Sequence, residues 1–426
     1  MKYILRPWWS ILTFSLAVHG ILQAPPLQGL YSLGTTVLEL NDPSTSRTMM
    51  LSLFYPTTSH NTTFAPVFPP TTASYLAQAY SLPLETITSL TSRSHLNSPI
   101  LHPTQPPFPT LLFSPGYGTS RLLYTCTAEE LASLGYLVLT IDHPHDVSLI
   151  EYLNGTVTLT PPVDFENYTA PIPYVNARVK DLQFVLDSLS HRSFISQIPG
   201  ISPSTYSSPF QTQRIGALGH SLGGAVAFSA MRADSRFAYG ANLDGAVIGD
   251  VVASGLSSPF LIVGSESSNR STDPTWADLW KHSTRTWKRE VEVKGTMHDS
   301  FTDLLVWTDV LGLKEDSEGV VGTITGGRML DLERELLGCF FGKWLKGERG
   351  RGLDGESGRW PEVGEISTAN VSPSLKYSLG SKLLPTPAGV PVKMIVPGNN
   401  VVPWDRNDTI FETEKIKSLR SVRTEN

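Results

Sequence analysis

The sequence predicts an α/β fold in which a mostly parallel central sheet is covered by helices on both faces. Two largely apolar runs, residues 110–114 and 136–142, are typical of strands that are buried on both sides. Amphipathic segments separate such runs, and residues 176–189 and 331–345 each place apolar side chains on one face of a helix. Strands that alternate with helices along a chain pair in parallel, which favours this architecture.

The other elements follow from the same patterns. Further strands are predicted at residues 49–56, 214–218, 239–243, 259–263 and 290–293. Further helices are predicted at residues 121–135, 225–232 and 280–287. A hairpin is predicted at residues 149–159, with its turn at Asn154-Gly155. Residues 21–48 are expected to form a loop, and residues 74–94 a helix broken at Pro83.

The two ends of the chain differ from the rest. Residues 1–20 are expected to be a secretory signal peptide, because Lys2 and Arg6 precede an apolar stretch that is short for a transmembrane helix. An uncleaved membrane anchor is the alternative. We expect one domain over residues 21–346, then a Gly- and charge-rich linker and a poorly ordered tail over residues 347–426.

Glycosylation motifs support the secretory route. Six N-x-S/T sequons begin at Asn61, Asn154, Asn167, Asn269, Asn370 and Asn407. A single match could arise by chance, but six together with a signal peptide favour secretion. The two cysteines, Cys126 and Cys339, are compatible either with one disulfide or with two free thiols.

The bulk composition excludes some classes of function. A net charge of -6 without a Lys/Arg cluster argues against a nucleic-acid-binding protein. No apolar run indicates a polytopic membrane protein. We expect a monomer, with residues 74–94 as a candidate for an interfacial helix pair at a lipid surface; core packing of the same residues is the alternative.

The segment G-H-S-L-G-G (residues 219–224) lies between a predicted strand and a predicted helix. In an α/β sheet such a turn presents a side chain at the carboxyl edge, and the glycines permit a strained serine backbone. The context predicts Ser221 as a nucleophile rather than as part of a structural turn. The base should follow it in the chain, after a late strand, and His298 in G-T-M-H-D-S-F (residues 295–301) meets that condition. His282 falls within a predicted helix and is the weaker choice.

The acid that orients His298 is left open by position alone. Asp244 and Asp273 each follow a predicted strand, and Glu266 is a third candidate. Two backbone N–H groups are expected to form the oxyanion hole, from Leu222 after the nucleophile and from Tyr117 in S-P-G-Y-G (residues 114–118).

The cluster His143-Pro144-His145-Asp146 contains residue types that bind metals. No further ligand cluster completes a site, so we expect a loop rimming the active site, with no metal and no cofactor.

These motifs together resemble the platelet-activating-factor acetylhydrolases, type-II phospholipases with an α/β-hydrolase fold. The likeness covers residues 51–345 and rests on four segments: residues 112–118, 219–224, 242–245 and 295–303. It implies that Asp244 is the acid, that the enzyme needs no calcium, and that Ser221, His298 and Asp244 release short or oxidised acyl chains from phospholipids or small esters. A non-catalytic binding protein of the same fold is the alternative from another class.

One position departs from the family pattern. The family usually has histidine before the glycine of the oxyanion loop, where this chain has Pro115. The Ser-Pro-Gly-Tyr step is similar to bacterial cutinases and polyester hydrolases, which carry the acid in the later loop. A cutinase-like polyester or lipid esterase is therefore the alternative activity. The fold also implies that Cys126 and Cys339 lie on helices covering the same face of the sheet, where a disulfide between them is sterically conceivable.

Overall fold

The computed structural model describes residues 21–60, 62–101, 107–160, 169–202, 208–349 and 360–365. The predicted signal peptide lies outside these residues, as do the chain beyond residue 365 and the sequons at Asn61, Asn167, Asn370 and Asn407. Within the described ranges, no helix combines the length and the apolar character that crossing a membrane requires.

The described strands are β1 Leu22–Gln23, β2 Ser32–Asp42, β3 Arg47–Thr57, β4 Phe64–Pro66, β5 Leu90–Leu96, β6 Thr110–Ser114, β7 Leu137–Asp142, β8 Leu149–Glu151, β9 Val157–Leu159, β10 Ile215–His220, β11 Phe237–Leu243, β12 Phe260–Gly264, β13 Lys288–Val293 and β14 Val363–Glu365. The described helices are α1 Pro70–Ala79, α2 Leu84–Thr88, α3 Thr125–Ser133, α4 Ile172–Ser188, α5 Arg192–Ile195, α6 Leu222–Ala233, α7 Val251–Ser254, α8 Pro274–His282, α9 Asp303–Val310, α10 Lys314–Val321 and α11 Gly326–Phe341. Short 3₁₀ turns cover Arg121–Tyr124 and His298–Phe301, and a π-helical turn, Gly342–Lys346, extends α11.

The central sheet has the strand order β1-β5-β2-β3-β7-β6-β10-β11-β12-β13-β14, with β4 added alongside β5. From β7 to β13 all neighbours are parallel, whereas β3 is antiparallel to both β2 and β7. Strands β8 and β9 form a separate antiparallel hairpin. The predicted α/β class with a mostly parallel sheet is confirmed.

Alternate side chains of the central strands enter different cores. Leu111 and Phe113 of β6 face one apolar cluster, while Leu112 between them faces the other. Helices α3, α9 and α11 contribute to the first cluster, and α4, α6 and α8 to the second. Because both faces are covered, all five residues of β6 are buried, which is why this strand reads as a continuous apolar run.

Two N-terminal predictions are wrong. Residues 32–42, expected as loop, form β2, which pairs with β3 along its whole length. Residues 90–94, expected as part of a helix, belong to β5, whose buried side chains include Ser92 and Ser94. Ser94 Oγ donates to Glu129 Oε1 at 2.6 Å, and Ser92 Oγ donates to the same oxygen. The polar interior of β5 removes the apolar pattern that would reveal a strand.

A short strand follows the predicted domain in the chain. Residues 363–365, assigned from sequence to the linker and tail, form β14 and pair antiparallel with β13. Trp360 is 7% exposed, and the Arg328 guanidinium lies 4.1 Å from its ring centroid. Arg328 also forms an ion pair with Glu362 at 2.8 Å.

The predicted helix at 280–287 lies earlier, as α8, because Asp273 caps its N-terminus.

The conceivable disulfide between Cys126 and Cys339 is not formed in the structure. Cys126 is buried on α3 and belongs to the same apolar cluster as Cys339 on α11. The two helices therefore cover one face of the sheet, as the fold implied. Burial raises the pKa of the Cys126 thiol well above its ordinary value, which keeps that thiol protonated.

Buried acids lie between the helices of this face. Glu333 on α11 accepts a hydrogen bond from Thr127 Oγ1 at 2.6 Å, and Asp303 at the start of α9 accepts one from the Cys126 backbone N–H at 3.0 Å. Burial raises the pKa of Glu333 from 4.5 to about 8, and that of Asp303 from 3.8 to about 7. Both groups are therefore neutral in the folded protein under mildly acidic conditions.

Glu333→Gln is expected to stabilise the protein only at high pH. Between pH 4.5 and about 8 the unfolded Glu333 is ionised and the folded one protonated, so the free energy of unfolding falls as pH rises through this window. Glutamine keeps an oxygen for Thr127 and cannot ionise. The Tm of Glu333→Gln, measured by circular dichroism, should exceed that of wild type at pH 9. At pH 5 the two Tm values should be equal. Glu318→Gln, at an exposed site, is the control. A Tm difference independent of pH would contradict the assignment.

Candidate active site

Ser221 lies between β10 and α6 in a strained backbone conformation, with φ 55° and ψ -123°. Positive φ is uncommon for residues other than glycine, and such strain is found mainly at functional sites. The Ser221 N–H donates to the Leu243 carbonyl oxygen at 2.9 Å, which ties the turn to the end of β11. The predicted nucleophile is thus held at the carboxyl edge of the parallel strands.

The neighbouring glycines are required by close backbone contacts. A Cβ atom on Gly223 would lie 1.8 Å from the Ser114 carbonyl oxygen, and one on Gly219 would lie 2.4 Å from the Gly223 backbone. Any side chain at either position would therefore push the turn away from β6. These close contacts are the physical reason for the two glycines of the G-x-S-x-G pattern in this chain.

His298 and Asp244 form a direct pair beside this turn. The distance from His298 Nδ1 to Asp244 Oδ2 is 2.7 Å, and the two side chains are 21% and 5% exposed. Asp244 directly follows Leu243, and the ring centroid of His220, next to the serine, lies 4.6 Å from that of His298. The structure therefore places the His298–Asp244 pair beside the segment that carries Ser221. Since Nδ1–H of His298 points to a carboxylate, the lone pair of the neutral ring is on Nε2.

Ser265, a residue that the sequence analysis missed, completes the environment of the acid. Its backbone N–H donates to Asp244 Oδ1 at 2.8 Å, and its hydroxyl donates to Oδ2 at 2.9 Å. Burial acts to raise the pKa of Asp244. The hydrogen bonds and charge of its partners, above all His298, lower the pKa by a larger amount, so the net shift is downward. Asp244 is held ionised, as a group that stabilises an imidazolium must be.

The two other candidate acids have different contacts. Asp273 caps α8, and its Oδ1 accepts the Thr275 N–H at 2.7 Å. Glu266 is exposed, and its carboxylate accepts the Gly295 N–H at 2.8 Å in the loop that leads to His298. Neither contacts the imidazole of His298 through a hydrogen bond in the described structure. Geometry thus separates Asp244 from Asp273 and Glu266, which sequence position had left open.

The two predicted oxyanion donors lie at the same edge. Leu222 is the first residue of α6, where backbone N–H groups have no partner within the helix. Tyr117 follows β6 in the loop formed by residues 115–118, called here the oxyanion loop, and its ring packs edge-to-face on Tyr174 at 5.4 Å between centroids. Such N–H groups can stabilise a negatively charged oxygen.

Arg178 on α4 holds the oxyanion loop from behind and was not recognised from the sequence. Its guanidinium is fully buried and donates to both carboxylate oxygens of Asp146, at 2.6 and 2.7 Å. The same group donates to the carbonyl oxygens of Pro115 and, at 3.2 Å, of Gly116. In a trans peptide the C=O and the following N–H point in opposite directions. A donor on Gly116 O therefore also sets the direction of the Tyr117 N–H.

The metal-like cluster has structural partners instead. His143 is completely buried, with Nε2 3.0 Å from Ser114 Oγ and Nδ1 2.9 Å from Asp181 Oδ2. Asp181 is also paired with Arg47 at 2.7 Å, and Asp146 with Arg178. In the part of the chain that the structure describes, no three His, Cys, Asp or Glu side chains are grouped to hold a metal ion. His143 and Asp146 thus support the strand and loop at the oxyanion donors from inside, while His145 is exposed.

The sheet order, the strained serine turn and the His298–Asp244 pair define a protein of the α/β-hydrolase class. The chain belongs to the platelet-activating factor acetylhydrolase, isoform II, family, whose sequence profile matches residues 16–159 and 205–320, more than half of the chain. The resemblance that the motifs indicated is therefore confirmed.

Individual relatives agree with this placement. The chain is 36% identical over 270 residues to a probable 1-alkyl-2-acetylglycerophosphocholine esterase from Arthroderma benhamiae, covering 60% of this chain and 65% of that protein. It is 24% identical over 319 residues to the platelet-activating factor acetylhydrolase of Canis lupus familiaris, covering 68% and 67% of the two chains. The chain thus spans about two thirds of the length of these curated relatives.

A solved structure supports the fold. The ferulic acid esterase from Streptomyces cinnamoneus superposes with a TM-score of 0.68 at 29% sequence identity, covering 82% of this chain and all of that one. The α/β-hydrolase fold predicted through the resemblance is therefore confirmed.

Asp244→Asn and Asp273→Asn are expected to separate the two acids. Loss of the carboxylate that accepts from His298 Nδ1 should slow the reaction of Ser221 with a fluorophosphonate probe by about 10⁴-fold, the loss in kcat that an Asp-to-Asn change causes in such a triad. Asparagine remains a good helix cap, so Asp273→Asn should react within about twofold of wild type. The rate is read from fluorescent labelling on a gel. A larger loss in Asp273→Asn than in Asp244→Asn would exclude Asp244 as the acid.

Proposed function

We propose that this protein is a secreted serine esterase that releases short or oxidised acyl chains from glycerophospholipids, in the manner of a 1-alkyl-2-acetylglycerophosphocholine esterase. The observation that carries the proposal is the 2.7 Å His298–Asp244 pair beside the strained Ser221 turn. Family membership and the name of the Arthroderma benhamiae relative support the substrate class.

The arrangement supports a two-step acyl transfer. Ser221 Oγ attacks the ester carbonyl carbon while His298 Nε2 takes the hydroxyl proton. Asp244 stabilises the imidazolium, and the N–H groups of Tyr117 and Leu222 stabilise the oxyanion. His298 then returns the proton to the leaving alcohol as the ester C–O bond breaks. Water repeats the sequence on the acyl-enzyme and frees the carboxylic acid and Ser221.

Most of the expected rate enhancement depends on prearranged polar groups. The loss of one oxyanion donor typically costs about 10²–10³ in kcat, because a fixed dipole in a water-poor site needs no reorganisation. In this protein the donors lie in a helix N-terminus and in a loop whose carbonyl groups are held by the buried Arg178. The site is therefore built to stabilise negative charge.

A broader ester hydrolase is the second candidate. The structural similarity to a ferulic acid esterase and the Ser-Pro-Gly-Tyr step of the oxyanion loop support an enzyme with a cutinase-like preference. The same three residues would perform the chemistry. The candidates differ in the alcohol and acyl parts of the ester, so substrate comparison distinguishes them.

Acyl release from two substrates tests the proposal. The purified protein should release acetate from a 2-acetyl ether glycerophosphocholine, and Ser221→Ala should lose at least about 10³-fold of that activity, because no nucleophile remains. Acetate is measured by a coupled assay, beside p-nitrophenyl butyrate. Hydrolysis of the small ester alone would favour the broader esterase. Absence of both activities, with no fluorophosphonate labelling of Ser221, would favour a non-catalytic protein.

We also propose that the protein enters the secretory route and carries a glycan on Asn154. Asn154 is exposed in the β8–β9 turn, and its Oδ1 accepts from the Thr156 N–H at 2.9 Å and from Thr156 Oγ1 at 2.7 Å. Asn269 differs, because its Nδ2 donates to Glu292 Oε2 at 2.7 Å and Arg270 beside it is buried. The charge pattern of residues 1–20 supports secretion.

Asn154→Gln and Asn269→Gln test this assignment. In protein secreted from a eukaryotic host, Asn154→Gln should remove one glycan mass, because the Asn154 amide is accessible at a hairpin tip. Asn269→Gln should leave the glycan mass unchanged. The masses are compared by intact-protein mass spectrometry before and after endoglycosidase treatment. An unchanged glycan mass in Asn154→Gln would contradict the assignment.

Association with a lipid surface as a monomer is the remaining part of the proposal. Met297, which directly precedes His298, is 46% exposed, so an apolar side chain borders the site on the solvent side. An exposed apolar residue beside His298 suits a substrate held in a lipid aggregate. Light scattering of the purified protein measures the mass of the particle without phospholipid micelles, which tests for a monomer. The same measurement with micelles tests for association with lipid.

A further inference from the structure

Tyr124 and His220 connect the oxyanion loop to the segment that carries His298. The Gly116 N–H donates to Tyr124 Oη at 2.9 Å, and Tyr124 Oη lies 2.9 Å from His220 Nδ1. The other ring nitrogen, His220 Nε2, lies 3.0 Å from the His298 carbonyl oxygen. These contacts, called here the Tyr124–His220 link, join two loops that are far apart in the sequence.

The direction of each hydrogen bond follows from the chemistry of the end groups. A carbonyl oxygen only accepts, so His220 Nε2 carries a proton and donates to His298 O. In a neutral imidazole the other nitrogen is then an acceptor, and Tyr124 donates its hydroxyl proton to Nδ1. Tyr124 Oη in turn accepts the Gly116 N–H. Thr119 Oγ1 also lies within hydrogen-bonding distance of Tyr124 Oη, at 3.2 Å.

The surroundings keep the link dry and His220 neutral. Tyr124 is fully buried and His220 is 2% exposed. The His220 ring stacks on Phe301, with centroids 6.0 Å apart, and the Tyr124 ring packs against Phe113 at 4.7 Å. Burial, and then the nearby charge of His298, lower the pKa of His220 well below its ordinary value. A second imidazolium beside His298 is thereby avoided during the reaction.

The link acts on both halves of the candidate catalytic machinery. At one end, Tyr124 fixes the Gly116 N–H, while Arg178 fixes the carbonyl oxygens of Pro115 and Gly116. Together they fix the two successive peptide planes that end at the Tyr117 N–H. At the other end, His220 fixes the backbone of His298, whose imidazole is held separately by Asp244.

We propose that Tyr124 and His220 are positioning residues for ester hydrolysis, which maintain the separation and orientation of the Tyr117 oxyanion donor relative to the base His298. The inference rests on the proposed function of the Ser221 site. Neither residue is assigned a contact with the substrate. Their effect is to hold donor and base in the geometry of the transition state, where a displacement of about 1 Å can cost about 10²-fold in rate.

Three substitutions break the link at defined points. Tyr124→Phe removes the hydroxyl and keeps the ring. His220→Gln keeps an amide nitrogen near the place of Nε2 and loses the acceptor for Tyr124. His220→Asn keeps an amide oxygen near the place of Nδ1 and loses the donor for His298 O. The matched control is Tyr136→Phe, since Tyr136 is fully buried in the same apolar cluster and its hydroxyl has no hydrogen-bond partner in the described structure.

The full-length protein is assayed with p-nitrophenyl butyrate and the 2-acetyl ether phospholipid, at a temperature well below the Tm of every variant. Tyr124→Phe, His220→Gln and His220→Asn are expected to lower kcat by about 10–100-fold with KM within about twofold of wild type. The double variant Tyr124→Phe/His220→Gln should be no slower than the slower single variant, because both remove the same contact. Tyr136→Phe should match wild type.

The fluorophosphonate labelling rate of Ser221 gives a second readout that needs no carboxylic ester, because the phosphonyl oxygen occupies the oxyanion site. It should fall in parallel with kcat. Wild-type kcat and labelling rate in Tyr124→Phe would overturn the inference while leaving the proposed function intact. Losses that multiply in the double variant, or that also occur in Tyr136→Phe, would overturn it as well. A wild-type protein that neither hydrolyses nor is labelled would overturn both.

Discussion

The strained backbone of Ser221 is the constraint on which the site depends. A residue held at positive φ costs about 1–3 kcal/mol, and it persists only where its surroundings leave no relaxed alternative. Here the Ser221 N–H is bound to Leu243 O, and the turn lies so close to β6 that a Cβ on Gly223 would overlap Ser114 O. The parallel strands β6, β10 and β11 thus set the position of the serine. They also set the position of Asp244, because this residue directly follows Leu243 at the end of β11.

Buried charges then hold the loops that surround this turn. Arg178 binds Asp146 and the carbonyl groups of the oxyanion loop, and Asp244 binds His298 with Ser265 completing its shell. Buried ions are tolerated only when they are paired, and the removal of one partner typically costs about 3–5 kcal/mol. The same pairs that make the loops rigid therefore decide where the N–H donors point and which nitrogen of His298 carries the proton. The buried charge pairs therefore account both for the rigidity of these loops and for the orientation of the groups assigned to catalysis.

Parts of the site could be predicted because local chemistry restricts them. The G-x-S-x-G turn needs small neighbours wherever it occurs, so Ser221 is readable without a structure. His298 is the histidine that follows a late strand in a loop, and chain order limits the alternatives. Ser265, Arg178, Tyr124 and His220 could not be found in this way. Their roles arise from contacts with residues distant in the sequence, and a buried arginine on a helix has no periodic signature that distinguishes it from a solvated one.

The sequence by itself determined the α/β class, the strands with continuous apolar runs, the serine turn and the candidate histidine, because each depends on a repeat or a motif contained in a few neighbouring residues. Only the tertiary structure decided between Asp244 and Asp273, since both follow strands and differ only in what lies opposite: an imidazole for Asp244 and the first turn of α8 for Asp273. It also decided β2, whose polar residues pair with the following strand β3, and β5, whose polar residues pair with strands distant in the chain, and it placed no disulfide between the two cysteines. For the acid and for β5 the physical reason is long-range contact, because its energy depends on partners that no local window of the sequence contains.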